Sequence, residues 1–177
     1  MIRSESPSPL LPPGWRSILL VWLAWYIALM GFQQLNWARF TIERPDDGYA
    51  WTRALTGGAY DGPETGAWFY ARWDSYRFVR IAQEGYSDPI LATFFPGYSL
   101  LMRAVDGVVL APMMDEDAAA SRMALAGIIV SGITSGIAAL GMYSLAYARL
   151  GGSADATRAA FYMLIFPTAM FMVQLYT

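Results

Sequence analysis

The stretch SRMALAGIIVSGITSGIAALGMYSLAYA, residues 121–148, decides the fold. It carries one charged side chain, close to its start, and is otherwise apolar or small. A helix needs about 20 apolar residues to cross the hydrocarbon core of a bilayer, and this stretch is longer than that. Small residues recur four apart at Gly127–Ser131 and Gly132–Gly136, a spacing that lets helices approach closely in lipid. The stretch predicts a spanning helix that packs against other helices.

Two further apolar runs predict spanning helices at residues 15–35 and 156–177. The first run is too long for the core of a cleaved signal peptide and has no small-residue cleavage site after it. It therefore predicts an uncleaved anchor. Arg3 and Arg16 lie at its start, which places the N-terminus in the cytoplasm. Residues 1–14 are rich in Ser and Pro and predict a disordered cytoplasmic tail.

The composition fits a chain whose solvent is partly lipid. Hydrophobic residues make up 56% of the chain and charged residues 15%, whereas soluble domains carry about 25% charged residues. The absence of Cys and His excludes disulfides, thiol nucleophiles, zinc fingers and His-based catalysis, and leaves carboxylates as candidate general bases. A net charge of −2 without a long basic run argues against nucleic-acid binding. The acidic residues are too scattered to predict a metal site, and no cofactor is predicted.

The segments between the spans are assigned to the two sides of the membrane by charge. Residues 36–93 form a long polar segment that is predicted to be an extracytoplasmic loop. Residues 149–155 are predicted to be a cytoplasmic loop, because Arg149 and Arg158 flank them. We expect the chain to be an integral membrane protein.

The run 94–112 leaves two alternatives open. As a fourth span it would place Arg103 and Asp106 near the middle of the bilayer, at a cost of roughly 2.5–3.5 kcal/mol each, unless they pair inside a bundle. As a juxtamembrane helix along the outer surface it would keep both on one polar face, three residues apart. The prediction is the juxtamembrane helix, with three spans in all.

The stretch WFYARWDSYRFVRIAQEGY, residues 68–86, carries the candidate chemistry. Asp74 or Ser75 can cap a helix over residues 74–84, and Gly85 can end it. Apolar and charged residues fall on different faces, which is typical of an amphipathic helix at a membrane surface. Asp74 lies at the positive end of this helix, and nearby cations favour an ionised carboxylate. These cations are Arg72, Arg77 and Arg80. Asp74 is either a catalytic base or simply a helix cap.

The pattern W-D-S-x-x-(F/Y)-x-x-I-A-x-x-G-Y, followed by F-F-P-x-Y-x-L-L, resembles the GPI mannosyltransferase 2 (PIG-V type) family, whose bacterial members occur among the GT-C glycosyltransferases. The matching residues are Trp73, Asp74, Ser75, Ile81, Ala82, Gly85, Tyr86, Phe94, Phe95, Pro96, Tyr98, Leu100 and Leu101. A weaker match is Phe166-Pro167 with the last four residues. Arg77 stands where the family commonly has an aromatic residue, and Ser99 where it commonly has a second proline.

The resemblance implies an all-α membrane protein, a GT-C-like multi-span helical bundle with amphipathic juxtamembrane helices in its first extracytoplasmic loop. It implies transfer of a sugar, mannose in the named family, from a polyprenyl-phosphate donor to an acceptor hydroxyl at the lipid–water boundary. This reaction needs a carboxylate base, for which Asp74 is the candidate, and cations or donors that hold the leaving phosphate. The expected substrate-binding residues are Arg72, Trp73, Arg77, Arg80, Phe95 and Tyr98.

Three spans are fewer than the resemblance implies, so we expect the chain to be the N-terminal part of a bundle whose C-terminal part completes it. One alternative is a non-catalytic membrane subunit or scaffold that packs through its Gly- and Ser-rich helix. Another is a fragment of a transporter or channel, which would require Arg103 and Asp106 to lie inside the membrane.

Overall fold

The computed structural model describes residues 11–39, 74–115 and 119–175. Five α-helices form the framework of these ranges: α1 Trp15–Arg39, α2 Ser75–Glu84, α3 Pro96–Val105, α4 Ala119–Leu150 and α5 Ser153–Ile165. A π-helical turn, Asp106–Leu110, extends α3, and two 3-10 helices cover Pro89–Thr93 and Pro167–Val173. The predicted helical class is confirmed for the part of the chain that the structure describes.

Two helices are long and apolar enough to cross a bilayer, over Trp15–Leu35 in α1 and Ser121–Leu150 in α4. A third span exists if α5 and the 3-10 helix after it count as one, although they meet at an angle of 78°. The span predicted at 156–177 is therefore bent rather than straight. Pro167 explains the bend, because proline has no N–H to donate and disfavours helical geometry at the residue before it. Phe166 accordingly has extended backbone angles, φ −60° and ψ 135°.

The small-residue face of α4 is used within the chain. A Cβ atom added to Gly132 would lie 3.1 Å from the ring of Tyr26, and one added to Gly136 would lie 3.1 Å from the ring of Trp22. The indole N–H of Trp22 also donates to Ser135 Oγ at 2.9 Å. The glycines of α4 thus allow close contact with the aromatic side chains of α1.

Hydrogen bonds and packing contacts show which segments of the chain lie at each end of α4. Towards the C-terminal end of α4, the hydroxyl of Tyr143 donates to the carbonyl of Pro13 at 2.5 Å. The start of α1 therefore shares this end with the Gly151–Gly152 connection to α5. Near the N-terminal end, Gly127 packs against Leu175, whose carbonyl accepts a hydrogen bond from the Ser75 hydroxyl. Helix α2 therefore lies at the end of the bundle opposite to the start of α1.

The segment predicted as a juxtamembrane helix, 94–112, contains α3 and the π-helical turn, and it packs against the start of α4 as a hairpin. The Tyr98 hydroxyl lies within hydrogen-bond distance of the Ser131 hydroxyl, at 2.8 Å, and Arg122 Nε lies 3.0 Å from Asp106 Oδ1. At 1.5 Å per residue, Tyr98 and Asp106 are about 12 Å apart along one segment, and Ser131 and Arg122 are about 14 Å apart along α4. The contacts are made in opposite sequence order at similar separations, so the two segments run nearly antiparallel. Asp106 therefore pairs with Arg122 and not with Arg103, whose side chain is exposed.

Helix α4 is longer than a membrane core. Its 32 residues span about 48 Å, whereas the hydrocarbon core is about 30 Å thick. An upright α4 with its Arg149 end at one boundary would project about 18 Å beyond the other boundary. Helices α2 and α3 pack on the first part of α4, around Met123, Ala124 and Ile128.

Candidate functional site around Asp74

Helix α2 is held on the bundle by its apolar face. The Phe78 ring makes edge-to-face contacts with Phe94, at 5.2 Å between ring centroids, and with Tyr98, at 5.5 Å. Gly85, with φ of 76°, ends the helix as the sequence predicts. The buried residues of α2 are Ser75, Tyr76, Phe78, Val79, Ile81 and Ala82. Phe78, Ile81 and Ala82 are among them, so the predicted apolar face of this helix is buried against the bundle.

Two buried serines fix α2 against its neighbours. Ser99 Oγ donates to the carbonyl of Phe78 at 2.9 Å, which ties α3 to α2. The Ser75 hydroxyl donates to the carbonyl of Leu175, which ties α2 to the end of the described chain. Ser99 is the position where the family pattern commonly has proline, and here its hydroxyl has a structural use that a proline would not supply. Helix α2 is therefore anchored on two sides.

Asp74 occupies the cap position of α2 but does not cap the helix with its side chain. Its backbone carbonyl accepts from the N–H groups of Arg77 and Phe78, at 2.9 and 3.4 Å, while its carboxylate makes no cap hydrogen bond. Asp74 Oδ1 lies 3.4 Å from Arg77 Nε, and the Asp74 side chain is 48% exposed. The carboxylate therefore lies at an accessible surface beside the Arg77 guanidinium.

Arg77 is held in place by aromatic side chains. Its guanidinium carbon lies 5.1 Å from the centroid of the Phe94 ring and 5.6 Å from that of Tyr76, within the range of cation–π attraction. Its Nε donates to the Tyr76 hydroxyl at 2.6 Å, and its side chain is only 20% exposed. A mostly buried, oriented guanidinium thus stands next to the Asp74 carboxylate.

Arg80 forms its ion pairs away from Asp74. Its Nε pairs with Glu84 at 3.0 Å, and its guanidinium lies 4.0 Å from Asp88. The Arg80 hydrogen bond, together with one from the Ser87 hydroxyl, lowers the pKa of Glu84 below its ordinary value. Arg80 therefore belongs to an exposed charge cluster at the end of α2 rather than to the Asp74 surface.

Of the other predicted site residues, Phe95 and Tyr98 lie at the same end of the bundle as Asp74. Arg72 and Trp73 lie outside the described residues. Phe95 precedes α3 and is 82% exposed. Tyr98 donates to the carbonyl of Gly127 at 2.8 Å and lines an open pocket of about 470 Å³. Of the predicted set, the structure brings Asp74 and Arg77 together.

Sequence reasoning missed the polar groups that line this pocket. Ser131, Thr134 and Ser135 lie on one side of α4, and Gln174 joins them from the far end of the chain. Gln174 Nε2 donates to Gln33 Oε1 of α1 at 2.9 Å. The available signal was the spacing of the three hydroxyl residues, three or four apart, inside an otherwise apolar helix.

No protein-family model, no curated protein and no solved structure matches the chain. Within the described ranges, no group of three or more His, Cys, Asp or Glu residues could hold a metal ion. The fold defines a helical protein with two helices able to cross a membrane, or three if the bent pair is one span.

Proposed function

We propose that the chain is part of a GT-C-like membrane glycosyltransferase, with Asp74 as general base, that transfers a sugar from a polyprenyl-phosphate donor to an acceptor hydroxyl. The observation that carries the proposal is the state of the Asp74 carboxylate. It is half-exposed, it is not used as a helix cap, and it stands 3.4 Å from Arg77. Its helix is anchored on the projecting part of a spanning helix, where a lipid-borne substrate meets water.

Sugar transfer requires a general base and a positive charge at this surface. As the acceptor oxygen bonds to the anomeric carbon, a base within about 2.6–3.2 Å of the hydroxyl takes its proton. The bond from the anomeric carbon to the phosphate oxygen breaks with inversion, and the phosphate that leaves with the bonding electrons is stabilised by positive charge. Asp74 fills the first role, and Arg77 supplies positive charge beside it. Mannose as the sugar comes from the family resemblance.

The orientation of the protein follows from the distribution of arginines. The start of α1, with Arg16, lies at the same end of the bundle as the connection between Arg149 and Arg158. The positive-inside bias is counted over short loops, which place these arginines in the cytoplasm, whereas long segments such as the one with Arg77, Arg80 and Arg103 cross largely regardless of charge. Helix α2 at the opposite end is then extracytoplasmic, at the outer face of a bacterial plasma membrane. The C-terminal part of the bundle and the lipid carrier are the expected partners.

A transfer assay tests the proposal. Membranes with the natural full-length protein are supplied with a polyprenyl-phosphate sugar, and transfer is followed for Asp74→Asn and Asp155→Asn. Asp155 is the matched control, since it forms an exposed ion pair three residues from Arg158, at 2.9 Å, at the other end of the bundle. We expect Asp74→Asn to lose at least 10²-fold in rate, as for a lost general base, and Asp155→Asn to keep it. Transfer retained by Asp74→Asn would remove Asp74 from the mechanism.

A non-catalytic membrane subunit is the second candidate, and the exposure of α1 favours it. Only 6% of the most apolar window of α1 is buried, against 61% for α4. Large side chains such as Leu20 and Ile27 therefore face lipid or the helices of another chain. If the chain is a subunit, Asp74→Asn leaves co-purification of a membrane partner unchanged, whereas Leu20→Ala combined with Ile27→Ala abolishes it. If the chain is an enzyme, Asp74→Asn abolishes sugar transfer, whereas Leu20→Ala combined with Ile27→Ala keeps it.

A further inference from the structure

The two aromatic neighbours of the Arg77 guanidinium, Tyr76 and Phe94, are themselves held in place. The Phe94 ring meets Phe78 edge to face at 5.2 Å, and the Phe94 carbonyl accepts a hydrogen bond from the Tyr86 hydroxyl at 2.7 Å. Tyr76 is only 4% exposed. Both rings lie within the range of cation–π attraction to the guanidinium. The position of the Arg77 charge is therefore set by fixed side chains and not by the Asp74 carboxylate alone.

The Nε proton of Arg77 goes to Tyr76 and not to Asp74. The distance from Nε is 2.6 Å to the Tyr76 hydroxyl oxygen and 3.4 Å to Asp74 Oδ1. A hydrogen bond between a guanidinium and a carboxylate is about 2.7–2.9 Å long, so the contact with Asp74 is too long to be one. Since Nε carries a single hydrogen, Asp74 lies next to the cation without a hydrogen bond from Nε.

This arrangement matters for a carboxylate that acts as a general base. An unrestrained arginine commonly binds a carboxylate through two parallel hydrogen bonds. Such bonds favour the ionised form of the carboxylate, which then takes a proton from an acceptor hydroxyl less readily. Because Nε is turned to Tyr76, the positive charge stays beside the site while the lone pairs of Asp74 are not taken up by Nε.

We infer that Tyr76 is a positioning residue, whose hydroxyl and ring hold the Arg77 guanidinium beside Asp74 and keep it from closing on the carboxylate. The inference rests on the proposed sugar transfer and assigns a role to a residue outside the set predicted from the sequence. Arg77 stands where the family pattern commonly has an aromatic residue, so the resemblance does not supply this pair. Tyr76 acts through Arg77 and not on the reacting atoms.

NMR tests the hydrogen bond without any assay of sugar transfer. The full chain with nitrogen-15-labelled arginine is placed in micelles, the Arg77 signal is identified by its loss in Arg77→Lys, and exchange of its Nε–H with water is measured. We expect Asp74→Asn alone to change the exchange rate by less than about twofold, because Tyr76 accepts the proton. Tyr76→Phe added to Asp74→Asn removes that acceptor and should accelerate exchange at least about tenfold. Acceleration by Asp74→Asn alone would overturn the inference.

Transfer kinetics of the natural full-length protein test whether the position of the guanidinium matters. Tyr76→Phe keeps the buried ring and removes the hydroxyl. We expect kcat to fall about tenfold with the acceptor KM nearly unchanged, since a positioned charge acts on the transition state. Arg77→Lys keeps the charge without Nε or the planar face, and should lose as much. Tyr143→Phe is the matched control, because it removes a buried hydroxyl that donates to the Pro13 carbonyl at the other end of the bundle, and should keep kcat.

A double-variant cycle separates positioning from a purely structural role. Tyr76→Phe should cost less than about twofold once Arg77→Gln is present, whereas lost helix packing would cost the same in both backgrounds. Full kcat in Tyr76→Phe or in Arg77→Lys, or additive losses in the cycle, would overturn the inference and leave the proposed function standing if Asp74→Asn still abolishes transfer. Transfer retained by Asp74→Asn would instead remove the proposed function, and the inference with it.

Discussion

Arg122 Nε lies 3.0 Å from Asp106 Oδ1, and the two side chains are only 11% and 14% exposed. The guanidinium also donates to the backbone carbonyls of Met114 and Asp115, at 3.4 and 2.9 Å. One side chain at the start of α4 thus binds the end of α3 and the connection that follows the π-helical turn. This pairing closes the helical hairpin on which α2, and with it Asp74, is mounted.

Loss of one partner of this ion pair should destabilise the protein strongly. Arg122→Ala leaves the mostly buried Asp106 carboxylate without its cation, which costs roughly 3–5 kcal/mol for buried pairs. The free energy of unfolding, measured by denaturant titration in micelles, should fall by about that amount. Arg103→Ala is the control, since Arg103 is exposed, and should change stability by less than about 0.5 kcal/mol.

The double variant Asp106→Leu with Arg122→Leu separates the ion pair from simple packing. Replacing both charges with apolar groups removes the unpaired charge, so most of the lost stability should return. A double variant as unstable as Arg122→Ala alone would show that the backbone hydrogen bonds of Arg122, and not its pairing with Asp106, hold the hairpin.

Contact between α1 and α4 depends on the absence of a side chain at Gly136. In Gly136→Leu, the new side chain meets the Trp22 ring, because even a Cβ atom lies 3.1 Å from it. Overpacking of this kind costs about 1–3 kcal/mol. Gly141→Leu is the matched control in the same helix, where nothing lies within 4 Å of an added Cβ. Thermal unfolding should show a lower Tm for Gly136→Leu alone, and equal Tm values for both variants would contradict the packing described here.

The Ser99 hydroxyl should contribute measurably to the attachment of α2. In Ser99→Ala, the buried carbonyl of Phe78 loses its hydrogen bond from Ser99, which costs about 0.5–1.5 kcal/mol. Hydrogen exchange of the α2 amides should accelerate, since the hydrogen bond from Ser99 ties this helix to α3. Ser87→Ala, at an exposed hydroxyl, should leave exchange of residues 78–82 unchanged. Equal acceleration in both variants would mean that Ser99 does not anchor α2.

The ion pair of Arg80 with Glu84 predicts a pH dependence at the end of α2. Arg80 lowers the pKa of the Glu84 carboxyl below its ordinary 4.5, so the ionised form is favoured in the folded protein. The resulting stabilisation is present above pH 4.5 and is lost as the pH falls through the lowered pKa. It is small and weakened by salt because both groups are partly exposed.

NMR titration of the Glu84 carboxyl carbon measures this pKa directly. Arg80→Gln should raise the pKa towards 4.5, whereas Arg158→Gln, which removes a distant exposed cation, should not change it. A Glu84 pKa that is insensitive to Arg80→Gln would show that the pair is not formed in solution.

The elements that sequence reasoning located best are those defined by hydropathy or by a strong helix-ending residue. The spans in α1 and α4 follow from long apolar runs, and α2 follows from its two-faced pattern and Gly85. The bend at Pro167 was missed because residues 159–173 carry no charged side chain and are almost all apolar, and hydropathy does not register a backbone break. The proline itself was the available signal.

The candidate site was predictable only in its local part. Asp74 and Arg77 are three residues apart on one helix, so their contact follows from helical spacing. The pairing of Asp106 with Arg122 and that of Gln174 with Gln33 join residues far apart in sequence. Such contacts depend on how the helices pack, which periodicity in one chain does not determine.

The central claim is that the Asp74 carboxylate lies at the extracytoplasmic surface of the membrane. Because the chain contains no cysteine, Asp74→Cys and Asp155→Cys each create a single labelling site. A membrane-impermeant maleimide added to intact cells should label Asp74→Cys, and should label Asp155→Cys only after the membrane is permeabilised. Labelling of Asp74→Cys only after permeabilisation, or labelling of both variants from the same side, would contradict the account.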